Sequence, residues 1–174
     1  GCTFCNVSSF ADESAQQLSV VQQLLARRDE VTRAKRYLAY FQAYTSTYAE
    51  VEYLQRMYEE ALSVSDMVGL CVGTRPDCVP DAVLDLLAGY QARGYEVWLE
   101  LGLQSANDKT LQRINRGHGY AAYEDAVSRA HARGIKVCAH LIVGLPGEVP
   151  MDSLDTLHRI VATGVEGIKL HPLH

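Results

Sequence analysis

The sequence predicts an α/β fold, a partial, three-quarter barrel of parallel strands of the (β/α)6 type that lacks its first strand. Three observations predict it. Short apolar or β-branched runs alternate with amphipathic stretches along the chain, as they do when crossover helices connect parallel strands. One helix-to-strand joint recurs three times, as ARGYEVWLEL, ARGIKVCAHL and ATGVEGIKLH. The unusual residues gather where strands end, which is where parallel α/β sheets place function.

Taken in order, a first helix is expected over residues 12–35 and a first strand over 37–44. A helix over 50–64 leads to a strand over 67–72. Pro80 opens a helix over 80–93, where a missing N–H costs nothing, and Val83, Leu84, Leu86, Leu87 and Tyr90 repeat at helical spacing. A strand over 96–103 follows. The last two units are a helix over 120–133 with a strand over 135–143, and a helix over 151–163 with a strand over 165–170. Gly94, Gly134 and Gly164 follow helix ends, where a left-handed cap suits glycine.

Right-handed crossovers place these helices outside a curved sheet. Five strands are too few to close an eight-stranded barrel, which usually takes about 250 residues. A sixth strand is expected before Gly1, to carry the loop that opens the chain. The result is an open TIM-type barrel, and a doubly wound flat sheet is the alternative that the same alternation permits.

The 174 residues, 48% hydrophobic and 21% charged, suit one globular domain with a real core, expected over residues 1–174 as a fragment of a longer protein. The net charge of -5 argues against a broad nucleic-acid-binding face. No apolar run is long enough to span a bilayer, and no signal peptide is visible. Five cysteines, an odd number, point to a reducing compartment, and a cytoplasmic location is expected.

Cys71 and Cys138 lie in apolar strand-like runs and read as buried small hydrophobes. Cys2 and Cys5 form a C-x-x-C pair in a polar loop, able to grip one metal centre. A zinc half-site and a redox dithiol are the other readings of such a pair. The strand ends carry YTST (44–47), GTRPD (73–77), ELGLQS (100–105), HLIVGLPGE (140–148) and HPLH (171–174). Arg75 and Asp77 suit either a ligand contact or a loop-fixing ion pair. Glu100, if it faces inward, needs a partner. His140, His171 and His174 could gather a metal, which suggests a zinc-dependent barrel hydrolase or a ligand-binding barrel as a rival function. The tyrosines of residues 37–58 suit packing better than base stacking.

GCTFCN resembles the C-x-aromatic-C half of the cluster motif of the radical S-adenosylmethionine superfamily. The resemblance implies a 4Fe-4S cluster on Cys2, Cys5 and a third cysteine upstream of Gly1, with Phe4 beside the cofactor. LGLQSANDKTLQRINRGH (101–118) is similar to a strand segment of the branch containing oxygen-independent coproporphyrinogen oxidases and Elongator-like enzymes. There a Gln and an Arg twelve residues later contact S-adenosylmethionine; the matching positions are Gln104 and Arg116. The chemistry fits, since an amide can bond ribose hydroxyls and a guanidinium can pair with a carboxylate. The alternative is that Gln104 caps the following helix and Arg116 is a solvated surface residue.

HLIVGLPGE resembles the segment that packs on the adenine, implicating Gly144, Leu145 and Pro146, with His140 where an Asp often stands in that branch. FQAYTST occupies the place of the glycine-rich motif that holds the methionine amino group, and Thr45 is the best-placed residue in it. The whole string resembles the YhcC-type radical S-adenosylmethionine family. That resemblance implies two cofactors, a 4Fe-4S cluster and S-adenosylmethionine, and an external electron donor of flavodoxin or ferredoxin type. It implies no substrate; tRNA modification and small-molecule chemistry both occur in neighbouring branches.

Overall fold

A computed structural model describes residues 2–3, 18–31, 33–42 and 45–173. Phe4, Cys5, Tyr44 and His174 lie outside the described residues. The element order is α1 (Val20–Glu30), β1 (Tyr37–Phe41), α2 (Val51–Leu62), β2 (Met67–Thr74), a 3-10 turn (Pro76–Cys78), α3 (Asp81–Ala92), β3 (Glu96–Gln104), α4 (Asp108–Arg113), α5 (Tyr120–His131), β4 (Lys136–Val143), α6 (Pro150–Ala162) and β5 (Gly167–Pro172).

The five strands pair in parallel, in the order β1-β2-β3-β4-β5. A doubly wound sheet reverses its strand order at a switch point. This sheet never reverses, so right-handed crossovers keep the helices on one side. The opposite face curls. In a flat sheet, four steps of about 4.8 Å would hold β1 and β5 about 19 Å apart. Yet the Lys169 ammonium of β5 lies 3.1 Å from the Tyr40 hydroxyl of β1. Two side chains cannot bridge a flat sheet of that width, so the strands form a curled half-barrel with Tyr40 and Lys169 inside.

Alternation along each strand separates the two faces. On β3, Val97, Leu99, Leu101 and Leu103 are buried beneath the helices. On β4, Val137, Ala139 and Leu141 do the same. The helices meet them with stripes at 3.6-residue spacing: Leu54, Tyr58, Ala61 and Leu62 on α2; Val83, Leu84, Leu87 and Tyr90 on α3; Tyr123, Ala126, Val127 and Ala130 on α5. Tyr58 sits at the centre, edge-on to both Phe41 and Tyr90, and its hydroxyl donates to the Ser46 carbonyl. Burying a ring of this size stabilises by about 2–3 kcal/mol.

The expected alternation holds, with three adjustments. β1 ends at Phe41, and the turn that follows is fastened to β2 through Ser46 N–H and the Gly73 carbonyl. β5 begins at Gly167 rather than 165, because Glu166 still spans the joint: its N–H donates to the Val137 carbonyl while its carboxylate accepts from Val137 N–H. Two short elements, the 3-10 turn and α4, fill the loops after β2 and β3. Gly164 has φ of 75°, the left-handed geometry that the recurring joint requires.

Cys71 and Cys138 correct the sequence reading. Neither lies in the core. Both are only half-buried, because they fall on the concave side of the sheet, in phase with Tyr40 and Glu100 rather than with the helix-facing leucines.

Candidate functional site at the strand ends

The C-terminal strand ends bring distant segments together. The first is the amino-terminal loop. Thr3 N–H donates to the Ile114 carbonyl at 3.1 Å, laying residues 2–3 against the end of α4. Arg116 Nη1 then lies 3.3 Å from Cys2 Sγ. A cysteine at one end of the chain and an arginine over a hundred residues away therefore share one rim.

Arg116 is not a surface residue; it is 8% exposed. Its Nε and Nη2 both donate to the Gly102 carbonyl, at 3.1 and 2.5 Å. Three of its five N–H groups are thus engaged among the described residues, leaving one on each terminal nitrogen, the pair a carboxylate accepts. Gly102 makes room for this. A Cβ there would stand 2.7 Å from Arg116 Nη2 and 3.1 Å from Gln104 Nε2.

Gln104 ends β3 with φ of 78°, a conformation that side chains other than glycine rarely adopt. A register shift between Gly102 and Gln104 re-aims the strand at that point. Gln104 does not cap the next helix; Asn107 does, accepting from Lys109 and Thr110 N–H. Instead Gln104 Oε1 is buried without a hydrogen-bond partner among the described residues. A strained residue presenting a buried, unpaired acceptor fits a site that a hydroxyl-bearing ligand completes. His118 Nε2 and Glu148 Oε2 are also buried and without a partner among the described residues. Burial holds the His118 ring below its ordinary pKa, and the nearby Arg116 and Arg75 charges act in the same direction.

The β3 and β4 ends are tied together. Ser105 donates to Glu148 at 2.5 Å, and Arg113 donates to the Pro146 carbonyl at 2.7 Å. Leu145 is buried in the core and anchors the loop. Gly144 turns with φ of 89° and open space where a Cβ would stand.

After β1, Thr45 lies in a turn closed by Tyr48 N–H to the Thr45 carbonyl. Thr47 is spent on the scaffold, 2.6 Å from Thr74 Oγ1 and bonded to the Cys78 carbonyl. Arg75 pairs with Asp77 through two contacts, at 2.9 and 2.6 Å. This ion pair fixes the loop, and the Arg75 guanidinium packs over Gly117, where a Cβ would stand 2.8 Å from Nη2.

His140 faces the concave side of the sheet. Its cross-strand partner is Gly102, and its Nε2 lies 2.6 Å from Glu100 on the concave face. Glu100 faces inward, as an interior carboxylate must to find partners. Tyr40 donates to it at 2.7 Å and Cys71 at 3.0 Å, and Lys169 stands 3.6 Å away. Burial pushes its carboxyl up, but the bonds from His140, Tyr40 and Cys71 outweigh burial and hold it down at about 2. The His171 ring lies 5.6 Å from that of His140. The pairings of this concave network escaped the sequence reading because they join all five strands. The signals for it were Glu100 in the middle of an apolar run and the histidines at positions 140 and 171.

Comparison with known proteins gives the family and the fold. The profile of the Radical SAM superfamily matches residues 1–160. Protein YhcC of Escherichia coli K12 is 67% identical over all 174 residues, which make up 56% of its length. YtqA of Bacillus subtilis is 39% identical over 178 aligned residues, 55% of its length. The chain thus spans a little over half of these relatives. Among solved structures, the Escherichia coli coproporphyrinogen III oxidase HemN superposes on 99% of this chain and 41% of its own, with TM-score 0.71 and 18% identity. Elp3 of Methanocaldococcus infernus covers 91% of this chain and 43% of its own, with TM-score 0.72 and 22% identity. These two show the fold: an open α/β barrel. With its profile matched over residues 1–160, this chain belongs to the Radical SAM superfamily.

Proposed function

We propose that the intact protein is a radical S-adenosylmethionine enzyme whose cofactors are a 4Fe-4S cluster and S-adenosylmethionine, acting on a substrate still to be identified. Cys2, Cys5 and a cysteine upstream of Gly1 hold the cluster. When bound, the two cofactors together supply a 5′-deoxyadenosyl radical by one-electron cleavage of the sulfonium. The observation that carries this reading is the 3.3 Å contact between Cys2 Sγ and Arg116 Nη1. It supports the reading because a candidate cluster thiol then lies beside the segment suited to bind the second cofactor.

The chain's own residues divide the binding work. Gln104 offers its Oε1, unpaired among the described residues, to a ribose hydroxyl. Arg116 is held rigid by Gly102 and offers its two remaining N–H groups to the methionine carboxylate. Its third arm donates to the Cys2 sulfur, a bond of the kind that adjusts the potential of a cysteine-held cluster. By the family resemblance, the Gly144–Leu145–Pro146 backbone would pack on the adenine, Thr45 would serve the methionine amino group, and Phe4 would belong to the same cofactor site. His140 faces the interior instead. An electron donor of flavodoxin or ferredoxin type supplies the reducing equivalent.

The test is anaerobic reconstitution of the full-length protein with iron and sulfide. Visible charge-transfer absorption and release of 5′-deoxyadenosine on reduction are expected. Arg116→Ala should keep the absorption and weaken S-adenosylmethionine binding by roughly 10- to 100-fold, the worth of a charge-assisted pair. Stoichiometric zinc with hydrolytic activity, and no iron-sulfur absorption, would establish the rival hydrolase.

A further inference from the structure

The concave face holds a second set of metal-ligating side chains, separate from the strand-end rim. Cys138 and His140 are two residues apart on β4 and therefore point the same way. Glu100 is the cross-strand partner of Cys138. The ligand atoms of Glu100, Cys138 and His140 lie within 4.8 Å of one another. Cys71 reaches in from β2, with its sulfur 3.0 Å from Glu100 Oε1. In a tetrahedral zinc site, neighbouring ligand atoms stand about 3.3–3.8 Å apart, given metal–ligand bonds of about 2.0–2.3 Å. Glu100, Cys138 and His140 already stand close to that spacing, and Cys71, bonded only to Glu100, must turn toward the other two to close the tetrahedron.

The geometry points to a divalent-cation site of zinc type, built from Glu100, Cys138 and His140 and closed by Cys71. Two sulfurs, an imidazole and one carboxylate form a soft-to-borderline donor set, the kind that selects zinc over magnesium or calcium. The surroundings support it. Gly167 of β5 leaves the space that Cys138 occupies, since a Cβ there would stand 3.3 Å from the Cys138 sulfur and from the Trp98 ring. Glu100 already gathers positive charge, with the Lys169 ammonium 3.6 Å from its Oε2. Lys169 is the counter-ion of the metal-free form. It sits on a flexible stem, stays partly exposed and also contacts the Tyr40 hydroxyl. A bound cation displaces it. The site spans β2, β3 and β4, so an ion there staples the inner face of the half-barrel. The inference does not depend on the radical reading, since none of the four ligands belongs to the cluster loop.

Cobalt titration tests this, because Co2+ reports thiolate ligation by charge-transfer absorption. The full-length protein carrying Cys2→Ala and Cys5→Ala removes the cluster ligands. It should bind one equivalent of Co2+ with a thiolate charge-transfer band, and excess Zn2+ should erase that band. Cys138→Ser or His140→Ala should abolish the tight site, and Cys71→Ser should halve the band. Lys169→Met should tighten binding by about tenfold or more, because it removes a competing charge a few ångströms away. That gain cannot come from misfolding, and circular dichroism checks the fold of the other variants. Absence of a thiolate band, or a band that survives both Cys138→Ser and His140→Ala, would overturn the site.

Discussion

Gly102 shows how one residue governs a site. Its missing side chain lets the Arg116 guanidinium reach the β3 carbonyl and lie beside Gln104. A methyl group there collides with Nη2, so Gly102→Ala should push Arg116 off the rim. The expected outcome is a loss of S-adenosylmethionine affinity close to that of Arg116→Ala, with the far-ultraviolet spectrum unchanged. Isothermal titration of the reconstituted protein reads it. Gln104 and Arg116 were legible in the sequence through their spacing, but their supports were not. No spacing rule says that Arg116 donates to the Gly102 carbonyl and the Cys2 sulfur, since those bonds depend on how the chain folds back. Arg75 and Asp77 left two readings open at the sequence level, and their two-point contact decides for the loop-fixing one.

At the level of elements, hydrophobic periodicity fixed most of the helices and strands, because burial against one sheet face writes itself at 3.6 and 2.0 residues. The ends were less legible. β5 starts late because Glu166 bridges to Val137 and lies 3.3 Å from His131, a side-chain event invisible to periodicity. The same bridge gives a pH prediction. Burial pushes the Glu166 carboxyl up, but the Val137 N–H and His131 outweigh it and hold it below its ordinary value. A depressed carboxyl adds stability above its unfolded pKa and loses it as pH falls through the folded one. Denaturant midpoints should therefore fall on acidification below about pH 4.5, and Glu166→Gln should flatten part of that slope. An unchanged slope would remove Glu166 from the joint. On β3, Leu99 is fully buried, and Leu99→Ala should cost about 2–5 kcal/mol in urea unfolding. Cys71 and Cys138 show the opposite limit. Their apolar neighbours pointed to the core, but alternation alone cannot tell an apolar outer face from a lined concave one in an open barrel.

On the scale of the whole molecule, curvature is what creates two separate chemistries. Curling brings Tyr40 of β1 to Lys169 of β5 and encloses Glu100 between them. It also gathers the strand ends into one rim, where residues 2–3 meet Arg116. The alternation of strands and helices was readable from sequence and left a barrel and a flat sheet both possible. Strand order and the β1–β5 contact decide for the barrel. Among the described residues the two edge strands, β1 and β5, are each paired on one side only.

Electron paramagnetic resonance of the reduced, reconstituted full-length protein, recorded with and without S-adenosylmethionine, tests the rim most directly. The account predicts a 4Fe-4S signal that depends on Cys2, shifts when S-adenosylmethionine is added, and no longer shifts in Arg116→Ala at the same cofactor concentration. A cluster signal that persists in Cys2→Ala, or a spectrum that ignores S-adenosylmethionine in the unsubstituted protein, would contradict it.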